Sequence, residues 1–452
     1  MPFPFLRRFV TLILLAAMPL AANSQSLSLR QAWQQLDDHS ALLAAERQSQ
    51  SRAELAVAAS DDLRLPSLSL NSTYVQMEKP LRAELDLPFQ LPIPDFPSSI
   101  ALDLTERHIY RTSLMGSFPL YAAGRIDAAQ QVKQAEYDAS VQQLQIKRRE
   151  QFNLLVQRYY GLVLAKQNAA LRGQQLVARE THLHHATLLE KQGQIAEVER
   201  LNAQVARDQA KVTAEKAEHQ VTLAQLGLDS LLQLDGVQPQ RFSGNLTLPA
   251  LAPLQQQLRS SHPALLLFEA KQRQAKGAVA AEQGRYKPTV GLFGSYTLAD
   301  DDSLLAHLEP EWFVGIRFSM PLFTNDGRSH RLQAAHSAEK EAQLRRQQTQ
   351  QDLLLLLQSE HQALSQAISE YQAYQSTISL AAENRRLREL AFQQGLATSL
   401  QLVDADQSLT AAKLGQAQAQ YHYLLALAKV LSLSGELNTL LERAEGAVDE
   451  RS

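Results

Sequence analysis

Hydrophobic positions along the chain follow two different periods. Trp312, Val314, Ile316, Phe318 and Met320 alternate with Phe313, Gly315, Arg317 and Ser319. That period of two gives a strand one apolar face and one polar or small face. The same alternation sets Val290, Leu292, Tyr296 and Leu298 against Thr289, Gly291, Ser295 and Thr297. It sets Tyr110, Thr112, Leu114 and Phe118 against Arg111, Ser113 and Ser117, and Leu68 and Leu70 against Ser67, Ser69 and Asn71. Four strands are therefore predicted, near 66–76, 108–120, 288–298 and 311–322. Each has about ten residues, the length of a tilted strand crossing a bilayer.

The second period is helical. From Arg328 to Gln394 the chain holds neither glycine nor proline, a run of 67 residues (394 − 327). A continuous helix of that length reaches on the order of 100 Å. Apolar residues recur every seven positions at Leu357, Leu364, Tyr371 and Ile378, with Ala367, Tyr374 and Ala381 three further on. Ala417, Tyr421, Leu424, Ala428 and Leu431 alternate steps of four and three. Both patterns are coiled-coil seams. Ser28 followed by Gln31 predicts a capping box opening the first helix. Gly193 and Gly395 mark the expected helix reversals.

The pattern is written twice. Asp38-His39-Ser40-Ala41-Leu42-Leu43 returns as Ser261-His262-Pro263-Ala264-Leu265-Leu266. Phe118-Pro119-Leu120-Tyr121 before Gly124-Arg125 returns as Met320-Pro321-Leu322-Phe323 before Gly327-Arg328. Gln192-Gly193 returns as Gln394-Gly395, and Lys211 as Lys413. The offset is 202 or 203 from Pro119 onward (321 − 119 and 328 − 125) and 222 or 223 before it (288 − 66 and 262 − 39). The first copy thus carries about twenty extra residues, and Pro80, Pro88, Pro92, Pro94 and Pro97 within them predict a loop with no regular element. The expected division is a leader over 1–22, a first structural repeat over 23–235 and a second over 236–452.

The leader is read from Arg7 and Arg8, the apolar run Phe9 to Ala17, and the small residues around Ala22 and Ser24. These are the parts of a cleaved secretory signal, and the run is short for a membrane anchor. No later stretch is apolar enough for a helical span. Zero cysteines among 452 residues exclude disulfides, thiolate metal sites and a lipid-anchored N-terminal cysteine. Forty-four Lys+Arg against 47 Asp+Glu, a net charge of −3, give no basic excess for nucleic acid.

Strands in lipid must have every edge paired, so only closed barrels are stable there. Four strands per chain cannot close around a packed interior, since about eight is the smallest usual number. Two chains would give a narrow filled barrel, and three would leave a lumen.

The stretch Phe392 to Ala405 (Phe-Gln-Gln-Gly-Leu-Ala-Thr-Ser-Leu-Gln-Leu-Val-Asp-Ala), continued by Tyr421-His422-Tyr423, resembles the second-repeat tip of TolC-like outer-membrane efflux proteins. Leu27-Ser28-Leu29-Arg30-Gln31-Ala32-Trp33 resembles their first mature helix, and the Pro-Leu-aromatic then Gly-Arg junctions match in both halves. The resemblance spans nearly all of the chain beyond the leader. It implies a mixed α+β membrane protein. Three chains share a twelve-stranded outer-membrane barrel, continued into the periplasm by a long helical coiled-coil barrel. It implies the exit duct of a tripartite efflux pump or type I secretion system, with a periplasmic adaptor, an inner-membrane transporter of RND or ABC type and outer-membrane lipid as partners. No cofactor is implied, and no enzyme.

By the same resemblance Asp404 rings the periplasmic entrance, and Glu199 is an acidic partner in the first-repeat tip. Phe392 stands where some members carry a hydrogen-bonding tyrosine, and Ala397 where some carry an arginine, so that polar lock is absent. Gln192, Gly193, Gln394 and Gly395 are the expected adaptor contacts at the tips. Arg317 is expected to face the lumen, and Trp312, Tyr110 and Tyr74 to form an interfacial girdle. His182, His184 and His185 lack a third ligand and read as a solvated helix face. Asp300, Asp301 and Asp302 are contiguous and read as a wet loop tip. Among enzyme signatures, no P-loop, His-Glu-x-x-His, Gly-x-Ser-x-Gly or dinucleotide fingerprint occurs. A soluble periplasmic coiled-coil scaffold or adaptor without a pore is the alternative reading, and a secreted enzyme a distant third.

Overall fold

The computed structural model describes residues 26–86 and 99–445. The leader expected over 1–22 lies outside them. In chain order the elements are β1 (Ser26–Leu27), α1 (Leu29–His39), α2 (Ala41–Asp61), β2 (Ser67–Gln76), β3 (Arg82–Asp86), β4 (Ser99–Asp103), β5 (His108–Tyr121), α3 (Arg125–Lys191) and α4 (Glu197–Leu232). There follow β6 (Gln238–Pro239), α5 (Leu251–Ser261), α6 (Pro263–Gly284), β7 (Thr289–Asp300), α7 (Leu304–Leu308), β8 (Trp312–Ser319), α8 (Arg328–Gln393), α9 (Ser399–Ser434) and α10 (Leu437–Glu445). The halves repeat almost residue for residue in length: α1 and α5 have 11 residues each, α3 and α8 have 67 and 66, and α4 and α9 have 36 each.

Local chemistry explains the helix starts. Gln31 N donates to Ser28 Oγ at 3.2 Å and Ser28 N donates to Gln31 Oε1 at 3.0 Å, closing the expected box at α1. Gly124 (φ 76°) and Gly327 (φ 67°) hold left-handed backbone where strand turns into helix ahead of α3 and α8. A Cβ is disfavoured in that region, so the Gly-Arg junctions of both repeats mark the same turn.

The sheet is antiparallel in the order β2-β5-β7-β8. Leu68 faces Gly116, Leu70 faces Leu114, and Tyr74 faces Tyr110 across the first pair. Phe118 faces Leu292 and Leu114 faces Tyr296 across the second, with a register shift at Thr112/Ser113. Leu292 then faces Ile316, and Tyr296 faces Trp312. One face of the four-stranded sheet is thus mainly apolar, broken by the hydrogen-bonded Ser72–Thr112 pair, and the other carries serine, threonine, glycine and arginine together with Met115, Phe293 and Phe313. The apolar face is uncovered within the chain: Leu68 is 70 %, Trp312 63 % and Ile316 69 % exposed. Among the described residues the outer edges of β2 and β8 pair with nothing.

The helices hold the rest together. Trp33, Phe152, Tyr159, Tyr160, Leu228, Phe242, Tyr423 and Leu427 form the largest buried cluster, where α1, α3, α4 and α9 meet. Tyr159 Oη donates to Leu27 O at 2.6 Å and accepts from Gln240 N at 2.8 Å. That hydroxyl bridges the flanks of the parallel pair β1 and β6, which ties the chain's start to the link between repeats. On α8, Leu357, Leu364 and Ala367 of the expected seam are buried. No described helix is long and apolar enough to cross a membrane.

Three expectations need correction. The insert of the first repeat is not wholly a loop: β3 and β4 pair antiparallel from Arg82–Asp103 to Asp86–Ser99. Its prolines do not interrupt either strand. Pro80 precedes β3, and Pro88, Pro92, Pro94 and Pro97 lie outside the described residues, so each five-residue strand keeps its donors. The last strand ends at Ser319, short of 322. The Asp300–Asp302 run is not uniformly wet. Asp300 accepts from Arg111 at 2.7 Å, and Asp301 is buried with Ser303 N donating to its Oδ1 at 3.1 Å. Only Asp302 is exposed, and α7 follows at once.

Candidate channel entrance at the helix tips

The helical hairpins α3/α4 and α8/α9 each turn through glycine: Gly193 and Gly395 both sit at φ 71°. Gln192, Gly193, Gln394 and Gly395 are all exposed, so the tips present backbone and amide groups. Beneath them Ala186, Ala203, Phe392 and Leu402 form a small closed core drawn from all four helices. Thr398 caps α9 with a full capping box to Gln401, which fixes the direction in which that helix leaves the turn.

Polar groups then join the two hairpins. Ser399 N donates to Glu199 Oε2 at 2.8 Å, and Ser399 Oγ donates to the Glu199 carbonyl at 3.1 Å. His182 Nε2 lies 2.8 Å from the same serine hydroxyl. The Phe392 ring packs edge-on against the His182 imidazole, with centroids 4.5 Å apart. His182 is only 6 % exposed, so the expected solvated face is wrong for this residue. Its turn of α3 faces the second hairpin. Burial, then Arg179 and His185, push its pKa down to about 4 and keep the ring neutral.

One turn further from the tip, Asp406 lies buried between two cations. Arg385 Nε donates to its Oδ1 at 3.0 Å, and Arg179 Nη2 lies 3.1 Å from its Oδ2 without an aligned hydrogen bond. Arg179 instead donates to Val403 O at 2.8 Å, and Arg385 reaches Glu389 at 3.6 Å. Burial lowers the Arg179 pKa from its ordinary value, opposed by the Asp406 charge. A cavity of about 110 Å³ lies alongside, between α3 and the second hairpin.

The residues expected to act here divide. Glu199 and Phe392 come together on His182 and Ser399. Asp404 is exposed: Ser408 Oγ donates to its carbonyl at 2.8 Å, and its charge acts on Arg179 without a direct contact. Arg179, Arg385, Ser399 and Asp406 were missed by sequence reasoning. A signal for Asp406 was present, since Leu402, Asp406 and Thr410 step by four along one buried stripe of α9. Among the described residues, no group of three histidine or acidic side chains could hold a metal ion.

Residues 254–436, covering α6 to α9, match the family model of outer membrane efflux proteins. The match covers most of the second repeat, which is similar to an outer membrane efflux protein domain. No curated protein matches the chain. Among solved structures, a membrane protein from Pseudomonas aeruginosa is 18 % identical, with a TM-score of 0.76 and 90 % of each chain covered. The outer membrane protein VceC of Vibrio cholerae is 15 % identical with a TM-score of 0.74, over 90 % of this chain and 96 % of that one. The open state of the Neisseria gonorrhoeae MtrE outer membrane channel is 18 % identical with a TM-score of 0.72, over 90 % and 89 %. At these identities the likeness is one of fold. That likeness of fold spans the first repeat as well as the second.

Proposed function

We propose that three copies of the chain close a twelve-stranded barrel in the outer membrane and a helical tunnel in the periplasm. The assembly is a passive exit channel for a tripartite efflux pump or a type I secretion system. The carrying observation is the sheet: a mainly apolar face runs across four strands, exposed, with both outer edges unpaired among the described residues. In lipid the face is satisfied and the edges are not, and edge pairing between copies removes that cost. A soluble periplasmic scaffold would leave the same face in water.

At the other end, Gln192, Gly193, Gln394 and Gly395 offer the surface on which a periplasmic adaptor sits, with the inner-membrane transporter beyond it. Three Asp404 carboxylates around the tunnel axis would attract cations. The test is fractionation followed by planar-bilayer recording. Recovery with outer membranes and a stable conductance support the reading; release by osmotic shock without conductance favours the scaffold. In that assay Asp404→Ala should raise conductance and weaken block by divalent cations, and unchanged cation sensitivity removes Asp404 from the entrance.

A further inference from the structure

The polar face of the sheet carries two arginines, and their surroundings differ. Arg111 is neutralised by Asp300 at 2.7 Å and Glu309 at 2.6 Å, a cluster with one excess negative charge. Arg317 has no carboxylate within ion-pair distance among the described residues. Its guanidinium carbon lies 4.6 Å from the centroid of the Phe293 ring. Glycines make the room for this contact. Phe293 pairs with Gly315 and Arg317 pairs with Gly291, so both residues on the diagonal find an empty position opposite them. A Cβ at Gly315 would lie 3.1 Å from the Phe293 ring. Phe313 packs against Phe293 at 6.0 Å and steadies it.

The neighbouring polar-face positions are neutral: Ser67, Ser69, Ser117, Thr289 and Ser319. An open cavity of about 560 Å³ borders Arg317 at the helix end of the sheet and is also lined by one carboxylate, Asp62, and one further guanidinium, Arg125. A guanidinium held over the face of an aromatic ring keeps N–H donors free for an anion.

We propose that Arg317, held on Phe293, is a selectivity-determining residue of the barrel lumen that favours anionic solutes such as carboxylates, phosphates or sulfonates. The inference rests on the channel reading above, which turns one Arg317 per chain into a ring of fixed positive charge. Charged rings set ion preference in pores because the low-dielectric wall focuses their field. Phe293 is a positioning residue: it holds the guanidinium along the wall.

The experiment is the reversal potential of the reconstituted channel in a potassium chloride gradient. Arg317→Gln should raise the potassium-to-chloride permeability ratio several-fold, Arg317→Lys should leave it near wild type, and Phe293→Leu should shift it part of the way. An identical ratio in wild type and Arg317→Gln overturns the proposal. A wild-type preparation with no pore overturns the channel reading instead. Should Arg317→Gln fail to insert, block of the wild-type pore by a benzene tricarboxylate decides: salt-sensitive block supports the ring, and no block overturns it.

Discussion

At the tip, the decisive side chains are those that meet between hairpins and not those that face water. Phe392 lacks the hydroxyl of a polar lock, yet it is buried and packed edge-on against a neutral histidine that in turn reaches Ser399. His182 has its pKa lowered from 6.5 to about 4, so the unfolded tip takes up a proton that the folded tip refuses. Its contribution to stability is therefore complete above about pH 6.5, declines as pH falls towards 4 and is constant below. The full change is on the order of 3 kcal/mol. Hydrogen exchange at the α3 and α9 tips should accelerate across that window in wild type and respond less in His182→Gln. His262 is depressed to about 4 as well, by burial and Arg149, so the difference between the two proteins isolates the tip.

Asp406 supplies a second residue-scale prediction. It is the carboxylate between Arg179 and Arg385, and removing its charge leaves two cations facing each other in a buried site. Breaking a buried pair in this way costs about 3–5 kcal/mol. Asp406→Asn should loosen the hairpins at their tips, read as faster exchange in α3 and α9 with little change in the sheet. Equal protection in mutant and wild type would mean the arginines are held by Val403 O and Glu389 alone.

Among the elements, the long helices were the most legible part of the chain. The glycine- and proline-free run to Gln394 became a single helix, and the seam at Leu357 and Leu364 became buried core. What the heptads did not reveal was how closely the hairpin helices approach. A Cβ at Gly415 on α9 would lie 2.4 Å from the Tyr374 ring of α8, whereas one at Gly173 on α3 meets nothing within 4 Å. Helix propensity favours alanine at both positions by up to about 1 kcal/mol. Contact should reverse the sign at one of them: Gly173→Ala should raise the thermal midpoint and Gly415→Ala should lower it. The hairpin β3–β4 was illegible for a related reason. Five prolines signalled a loop, but a proline costs a strand a donor only where it falls within it, and Arg82–Asp86 and Ser99–Asp103 contain none.

For the whole molecule, the two periods in the sequence were enough to foresee both the sheet and the tunnel helices. Alternation named the apolar face before any register was known, and pairing of Leu70 with Leu114 and of Tyr296 with Trp312 carried it across the strands. The tip site was less legible because it is built across the repeats. Glu199 meets Ser399 across 200 residues of sequence, and His182 meets Phe392 from the other repeat. The same physics that separates lipid-facing from polar residues in one chain demands copies of it, since four strands leave two edges open. The most direct test is the mass of the native protein in mild detergent, corrected for bound detergent. Three chains per particle, with helix and strand signals intact, is the expected result. A particle of one chain that keeps the same secondary structure would contradict a shared barrel.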